Sequence, residues 1–135
     1  MTDAASTRPL LDRLGVRPGA RVALAGLDDP SFRDLVNERT SDVTDGSPLP
    51  ATDLVFLAAD SLDDLAALAS LQGALKATGA IWVVSRKGRH ATLRDVDVIE
   101  AAKAVGLVDN KVVSFSETHT ALRLVIPIAL RASRV

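Results

Sequence analysis

Three short apolar runs, separated by segments with helical periodicity, constrain the fold of this chain more than any other feature of its sequence. The runs cover residues 22–25, 54–59 and 80–84, and each is followed at once by glycine or by polar residues. Continuous apolar runs of this length are typical of strands that are buried on both faces of a sheet. Strands that alternate with helices at this spacing predict an α/β fold with a mostly parallel sheet.

The helical segments carry start signals that agree with this alternation. Asp29 is a favourable N-cap, and Pro30 is a favourable first residue of a helix. Ser61, with Asp64 three residues later, resembles a helix-capping pair. Gly79 is expected to end the helical connection between the second and third apolar runs. The leucines of that connection are spaced along one helical stripe, and they are Leu62, Leu65, Leu68 and Leu75.

The last third of the chain predicts a helix followed by two strands. The strands are expected at residues 112–115 and 122–128. Because the link between them is short, they are expected to form an antiparallel hairpin. Asn110 and Lys111 are expected between the last helix and this hairpin, in a structural or partner-facing role.

The predicted organisation is a single α/β domain that covers residues 1–135, with about five strands. A chain of 135 residues is long enough for one domain with one sizeable core. Residues 1–7 are expected to be disordered. Residues 40–52 are polar and contain glycine and two prolines, so they are expected to be mostly loop. At most, a short edge strand is expected at residues 42–44.

The composition excludes several classes of function. The chain has no cysteine, which rules out a disulfide scaffold, a zinc finger and thiol catalysis. Its two histidines, His90 and His119, are too few for a multi-histidine metal centre, so no metal is expected. A formal net charge of -1 and the scarcity of aromatic residues argue against nucleic-acid binding. With no secretory leader and no apolar run near the roughly 20 residues of a membrane helix, a cytoplasmic protein without membrane contact is expected.

Several segments resemble known families. DLVFLA at residues 53–58 and LKATGAIWV at 75–83 are similar to the fourth strand and the approach to the fifth strand of class I S-adenosylmethionine-dependent methyltransferases. GAIWVVSRK at 79–87, GLVDNKV at 106–112 and TALRLV at 120–125 resemble a family of small bacterial, mainly actinobacterial, proteins of unknown function. The second resemblance covers nearly the whole chain. Together they imply a reduced, Rossmann-like fold that is similar to a truncated class I methyltransferase, with no assigned activity.

The turn after the first predicted strand departs from the methyltransferase pattern. Those enzymes carry a glycine-rich turn there, because glycine lets the backbone approach a ligand closely. Residues 25–30 contain one glycine, Gly26, while Leu27 and Pro30 lie where the backbone should open. The segment that follows is short for the full strand–helix–strand in which those enzymes place an acidic ribose-binding residue. The cofactor therefore stays unassigned, and conventional binding of S-adenosylmethionine is not expected.

A cluster of potential cations follows the third apolar run, and it consists of Arg86, Lys87, Arg89 and His90. Arginine and lysine side chains suit phosphate or carboxylate groups, and Gly88 lets the backbone bend toward an anion. The functional hypothesis is an anion or nucleotide-phosphate site. The structural alternative is a solvated loop whose cations pair with Asp60, Asp95 or Asp97.

Parallel α/β sheets bind ligands at the carboxyl ends of their strands. Glycine and polar residues follow the first two predicted strands. We call these residues the strand-end mouth, and they are Gly26, Asp28, Asp60 and Ser61. Helix capping explains Ser61, and also Asp29, without chemistry. At the expected hairpin tip, Glu117 and His119 alternate onto one face, which suits general acid–base work. A surface turn is the simpler interpretation of that pair.

The sequence favours a non-catalytic binding or regulatory module. It contains neither a P-loop nor a nucleophile elbow, so no catalytic residue is assigned and enzymatic activity is not expected. The alternative is a small-molecule binding protein, or an enzyme, that takes a nucleotide or an anionic metabolite at residues 86–90. An obligate homo-oligomer, formed along an exposed edge strand, is a third hypothesis. For the binding or regulatory module, the expected partner is another protein.

Overall fold

The computed structural model describes residues 10–132, in which strands and helices alternate as the apolar runs predict. The expected disorder of residues 1–7 lies outside the described residues. A helix at residues 10–14, α1, precedes the sheet. The following elements are β1 (Val22–Ala25), α2 (Pro30–Asn37), β2 (Val43–Asp45), β3 (Thr52–Ala58), α3 (Leu62–Leu65), α4 (Leu68–Gln72), β4 (Leu75–Arg86), a short 3-10 helix (Gly88–His90), α5 (Asp95–Ala104), β5 (Val108–Ser114), β6 (His119–Val125) and α6 (Ile128–Arg131). In this part of the chain, no helix is both long and apolar enough to cross a membrane.

Six strands form one sheet in the order β2-β1-β3-β4-β6-β5. The first four in this order are parallel, and β6 is antiparallel to both of its neighbours. The predicted α/β fold, with a mostly parallel sheet and a C-terminal antiparallel hairpin, is confirmed. The strand beyond the expected five is β2, a three-residue strand at one edge of the sheet.

Apolar side chains cover both faces of the sheet. Phe56 and Trp82 belong to a core on the face that carries α1 and α2, whereas their neighbours Val55 and Ile81 belong to a core on the face that carries α3, α4 and α5. Successive strand residues point to opposite faces, so a strand that is buried on both sides needs apolar residues at every position. This arrangement explains the continuous apolar runs.

Trp82 ties the first helix to the centre of the sheet. Its side chain is fully buried, and its Nε1–H donates a hydrogen bond to the carbonyl oxygen of Leu14 at 3.0 Å. On the same face, the ring of Phe32 from α2 lies 5.0 Å from the ring of Phe56 and 4.8 Å from that of Phe115. Aromatic pairs at these distances add attraction to their burial. The Trp82 hydrogen bond and the aromatic cluster therefore contribute to holding the helices on this face, together with apolar side chains such as Leu11 and Val36.

The expected leucine stripe is wrong at both of its ends. Leu62 is 67% exposed, and Leu75 is the first residue of β4. Gly79 lies inside this strand instead of closing a connection, at the point where the pairing between β3 and β4 changes register. A Cβ at this position would lie 2.9 Å from the carbonyl oxygen of Thr52. Glycine is therefore needed here because two strands approach each other closely, and not because a turn begins.

The hairpin at the end of the chain is longer at its start than predicted. Asn110 and Lys111 lie within β5 and do not precede it. The Lys111 ammonium donates a hydrogen bond to the carbonyl oxygen of Arg13 at 3.0 Å, which supports the structural role expected for it. The second strand covers His119–Val125, so it begins before the apolar run and ends before residue 128. Backbone pairing, which does not depend on hydrophobicity, sets these limits.

Candidate functional site

Three strand exits lie side by side at one end of the sheet. The strands β1, β3 and β4 are parallel, and their carboxyl ends lie close together, with Ala25 opposite Leu57 and Ala58 opposite Val84. The residues that follow these strands therefore emerge at the same edge. This is the edge at which open α/β sheets bind their ligands.

The loop after β4 lies against the tip of the β5–β6 hairpin. Arg86 at the end of β4 pairs with His119 at the start of β6, and the 3-10 helix Gly88–His90 follows. Together, residues 86–90 and 117–119 line a cavity of about 700 Å³. We call it the basic cavity. All four residues of the predicted cation cluster line it, so their side chains share one space.

Asp60 holds the first cation of this cavity. The backbone N–H of Arg86 donates to Asp60 Oδ1 at 3.0 Å, and the Arg86 Nε lies 3.8 Å from Asp60 Oδ2. The Thr92 hydroxyl donates to the carbonyl oxygen of Asp60, which links the exit of β3 to the segment after the 3-10 helix Gly88–His90. The structural alternative of a paired cation therefore applies to Arg86. Asp97 pairs with Arg94 instead.

Within the described part of the chain, the other residues of the cation cluster have no acidic partner. The Lys87 ammonium donates to the hydroxyl of Ser114 at 2.7 Å, which is a neutral acceptor. Within residues 10–132, the side chains of Arg89 and His90 make no hydrogen bond and no ion pair, and both residues are exposed. Glu117 is the acid among the residues that line the cavity. The cavity therefore carries an excess of hydrogen-bond donors and of positive charge.

The hairpin tip forms the other wall of the basic cavity. The Ser116 hydroxyl accepts the backbone N–H groups of Thr118 and His119 at 3.3 and 3.1 Å, and His119 Nδ1 lies 2.7 Å from the Thr118 hydroxyl. Thr118 and His119 also line a smaller cavity of about 270 Å³, which reaches residues 27–30 after β1. His119 therefore stands between the two spaces. The surface turn predicted for His119 does not by itself indicate this position, whereas the antiparallel hairpin does, because its tip returns to the carboxyl edge of the sheet.

The four residues of the strand-end mouth do not share one pocket. Ser61 accepts a hydrogen bond from the third residue of α3 at 3.1 Å, and Asp29 does the same for α2 at 3.1 Å, so both act as helix caps. Asp28 lines the smaller cavity, while Gly26 lines a separate, open space of about 490 Å³. Of these four described residues, Asp60 is the one that contacts the basic cavity, through the backbone N–H of Arg86.

The described residues do not fit conventional binding of S-adenosylmethionine. A second strand is present and ends in the acidic Asp45, so the expected trimming of this half is less complete than the spacing indicated. However, Arg33 of α2 pairs with the Asp45 carboxylate. Leu27 packs against the core, and Pro30 begins α2 without an N–H group, so the turn lacks the open backbone of a glycine-rich loop. Among residues 10–132, no group of three or more His, Cys, Asp or Glu side chains is arranged to hold a metal ion.

Comparison with solved structures agrees with this fold. Precorrin-6y C5,15-methyltransferase from Geobacter metallireducens GS-15 matches with a TM-score of 0.62 at 11% identity, over 94% of this chain and 90% of that chain. An S-adenosylmethionine-dependent methyltransferase from Aquifex aeolicus matches with a TM-score of 0.64 at 13% identity, over 90% of this chain and 89% of that chain. An S-adenosylmethionine-dependent O-methyltransferase from Thermotoga maritima matches with a TM-score of 0.65 at 9% identity, over 94% and 67%. At such identities, the likeness shows a methyltransferase-like fold and nothing about activity.

Comparison by sequence identifies the family. A search of curated proteins finds no match. The model of one protein family matches residues 11–128, which is most of the chain. The chain therefore belongs to the family described as a protein of unknown function, DUF3052.

Proposed function

We propose that this protein binds a small anionic molecule in the basic cavity, and that it works as a binding or regulatory module and not as a methyltransferase. One observation carries the proposal. Arg89 and His90 line the cavity without any protein partner among the described residues, beside Lys87, whose contact is a neutral hydroxyl. An anion supplies the acceptors that these donors lack.

The size and chemistry of the cavity define the class of ligand. A volume of about 700 Å³ lies within the range of small-molecule sites. The guanidinium of Arg89 offers a planar fork that suits carboxylate or phosphate, and the ammonium of Lys87 offers a mobile point charge. Gly88, with φ of 70°, turns the backbone between them. A nucleotide phosphate or an acidic metabolite meets these requirements.

The geometry of the turn after β1 favours a binding role over methyl transfer. The turn after β1 does not fit the conventional cofactor, and Arg33 already neutralises Asp45. One observation favours an enzyme as the second candidate, because Glu117 and His119 line the same cavity and suit acid–base chemistry. The two candidates differ in a measurable way. An enzyme consumes its ligand, and a Glu117→Gln variant stops that turnover while binding persists.

Isothermal titration at constant ionic strength tests the proposal, with ADP, inorganic pyrophosphate, citrate and S-adenosylmethionine as probes. We expect at least one of the first three to bind. Removing one charge-assisted hydrogen bond of about 1.5–3 kcal/mol in Arg89→Gln should raise the Kd about 10- to 150-fold. Lys103→Gln is the matched control, since Lys103 is an exposed cation on α5 outside the cavity.

Three results contradict the proposal. The first is binding of S-adenosylmethionine alone, which would place the ligand at the turn after β1. The second is an anion whose Kd is the same in Arg89→Gln and in the wild type. The third is that none of the four probes binds, which would favour the hypothesis of a protein partner.

A further inference from the structure

A second basic cavity lies at the opposite end of the sheet from the proposed site. It has a volume of about 540 Å³ and is lined by the loop before β1, the amino ends of β3 and β4, and the middle of β6. We call it the amino-end cavity. Its cations are Arg17, Lys76 and Arg123, and Asp53 is the acid among the residues that line it.

Asp53 is already fully engaged by other groups. Its Oδ1 lies 2.6 Å from the Lys76 ammonium, and its Oδ2 accepts the backbone N–H of Arg21 at 2.8 Å. Burial alone would raise the pKa of Asp53, but the hydrogen bonds from Lys76 and Arg21, together with the charges of both residues, hold that pKa below its ordinary value. The carboxylate therefore stays ionised and keeps its present partners, so it does not neutralise the other cations of the cavity.

Arg123 is a half-buried cation of the amino-end cavity. It lies in β6, opposite Trp82 on one side and Lys111 on the other. Among residues 10–132, its side chain makes no hydrogen bond and no ion pair. Burial and the like charge of Arg131 lower the pKa of its guanidinium. A partly buried charge is costly unless an opposite charge compensates it, so this guanidinium is suited to a ligand.

We propose that the amino-end cavity binds the phosphoryl group of a small molecule, independently of any ligand in the basic cavity. Arg17 and Arg123 are its main donors, since Lys76 already pairs with Asp53. The cations come from three separate segments of the chain and therefore approach a ligand from different sides. A tetrahedral phosphate directs its oxygens to several sides at once, whereas a carboxylate has two oxygens in one plane. The hydroxyl of Thr78, which lines the same space, is a further donor.

An NMR titration with inorganic phosphate, at constant ionic strength and pH, tests this proposal. In the wild type, we expect shifts of the backbone amides of Gly19 and Thr78 and of the Arg123 Nε–H group. Arg123→Met should weaken this response at least tenfold. Arg89→Met, which removes a cation of the basic cavity, should leave it unchanged and serves as the matched control.

Further variants keep the proposal testable if Arg123→Met does not fold. Arg17 is exposed, so Arg17→Met should fold and should still weaken the response. Arg123→Lys, which keeps the charge but loses the fork, should bind phosphate more weakly than the wild type. The proposal is overturned if phosphate shifts only residues 86–90, or if the response at Gly19 and Thr78 is the same in Arg123→Met, Arg17→Met and the wild type. Either of these outcomes leaves the proposed function of the basic cavity standing.

Discussion

Replacing Trp82 by phenylalanine tests how α1 is held to the sheet. Trp82 is fully buried, and its Nε1–H donates to the carbonyl oxygen of Leu14 at 3.0 Å. Without this donor, a buried carbonyl loses its partner, which costs about 1–3 kcal/mol. The void beside the smaller ring adds about 1 kcal/mol. We therefore expect Trp82→Phe to lower the free energy of unfolding by about 2–4 kcal/mol, and the Tm by roughly 8–16 °C.

Urea denaturation followed by circular dichroism measures this loss, because Trp82 is the single tryptophan and its fluorescence disappears in the variant. Phe56→Leu is the control. Phe56 is fully buried, lies opposite Trp82 in the ladder and has no polar atom in its side chain. Its replacement should cost about 1 kcal/mol. Equal losses in the two variants would refute the reasoning, as would unchanged hydrogen exchange of residues 11–14 in Trp82→Phe.

Three further predictions follow from local contacts. Gly79→Ala should destabilise the protein by about 1–3 kcal/mol in urea titrations, because its Cβ would lie 2.9 Å from a backbone oxygen. Gly73→Ala should be nearly neutral, because its Cβ would lie 3.6 Å from the nearest backbone oxygen. Asp53 has a lowered pKa, so it stabilises the folded state above its ordinary value of 3.8 and loses this contribution in acid. Stability of Asp53→Asn should therefore fall less than that of the wild type between about pH 5 and pH 2. Asp29→Ala should cost about 1 kcal/mol through the lost cap of α2, and Asp28→Ala, measured in the same way, should change little.

Features that depend on neighbours in sequence could be predicted. The bounds of β1 agree with its apolar run, since the strand is short and buried on both faces. The caps at Asp29 and Ser61 were equally visible, because each bond spans three residues. The cation cluster at residues 86–90 was recognised for the same reason, as its members are adjacent in the chain.

Features that depend on strand register could not be predicted. His119 meets Arg86 only because β6 inserts beside β4 with a particular register. Arg123 and Lys76 are 47 positions apart in the chain, and no local pattern indicates that they line one cavity. The early start of β4 was missed because the spacing of Leu75 from the preceding leucines fits a helix as well as a strand. Both cavities thus arise from pairing between distant segments.

The position of β6 between β4 and β5 has a consequence for synthesis of the chain. Among the described strands, β5 pairs with β6 alone, although β5 is translated first. A nascent chain that has reached Ser114 therefore holds a strand with nothing to pair with, and it leaves the apolar edge of β4 uncovered. Exposed apolar edges pair with other chains. A nonsense mutation before His119 would remove the contribution of two strands, not one, and would yield a fragment prone to aggregate.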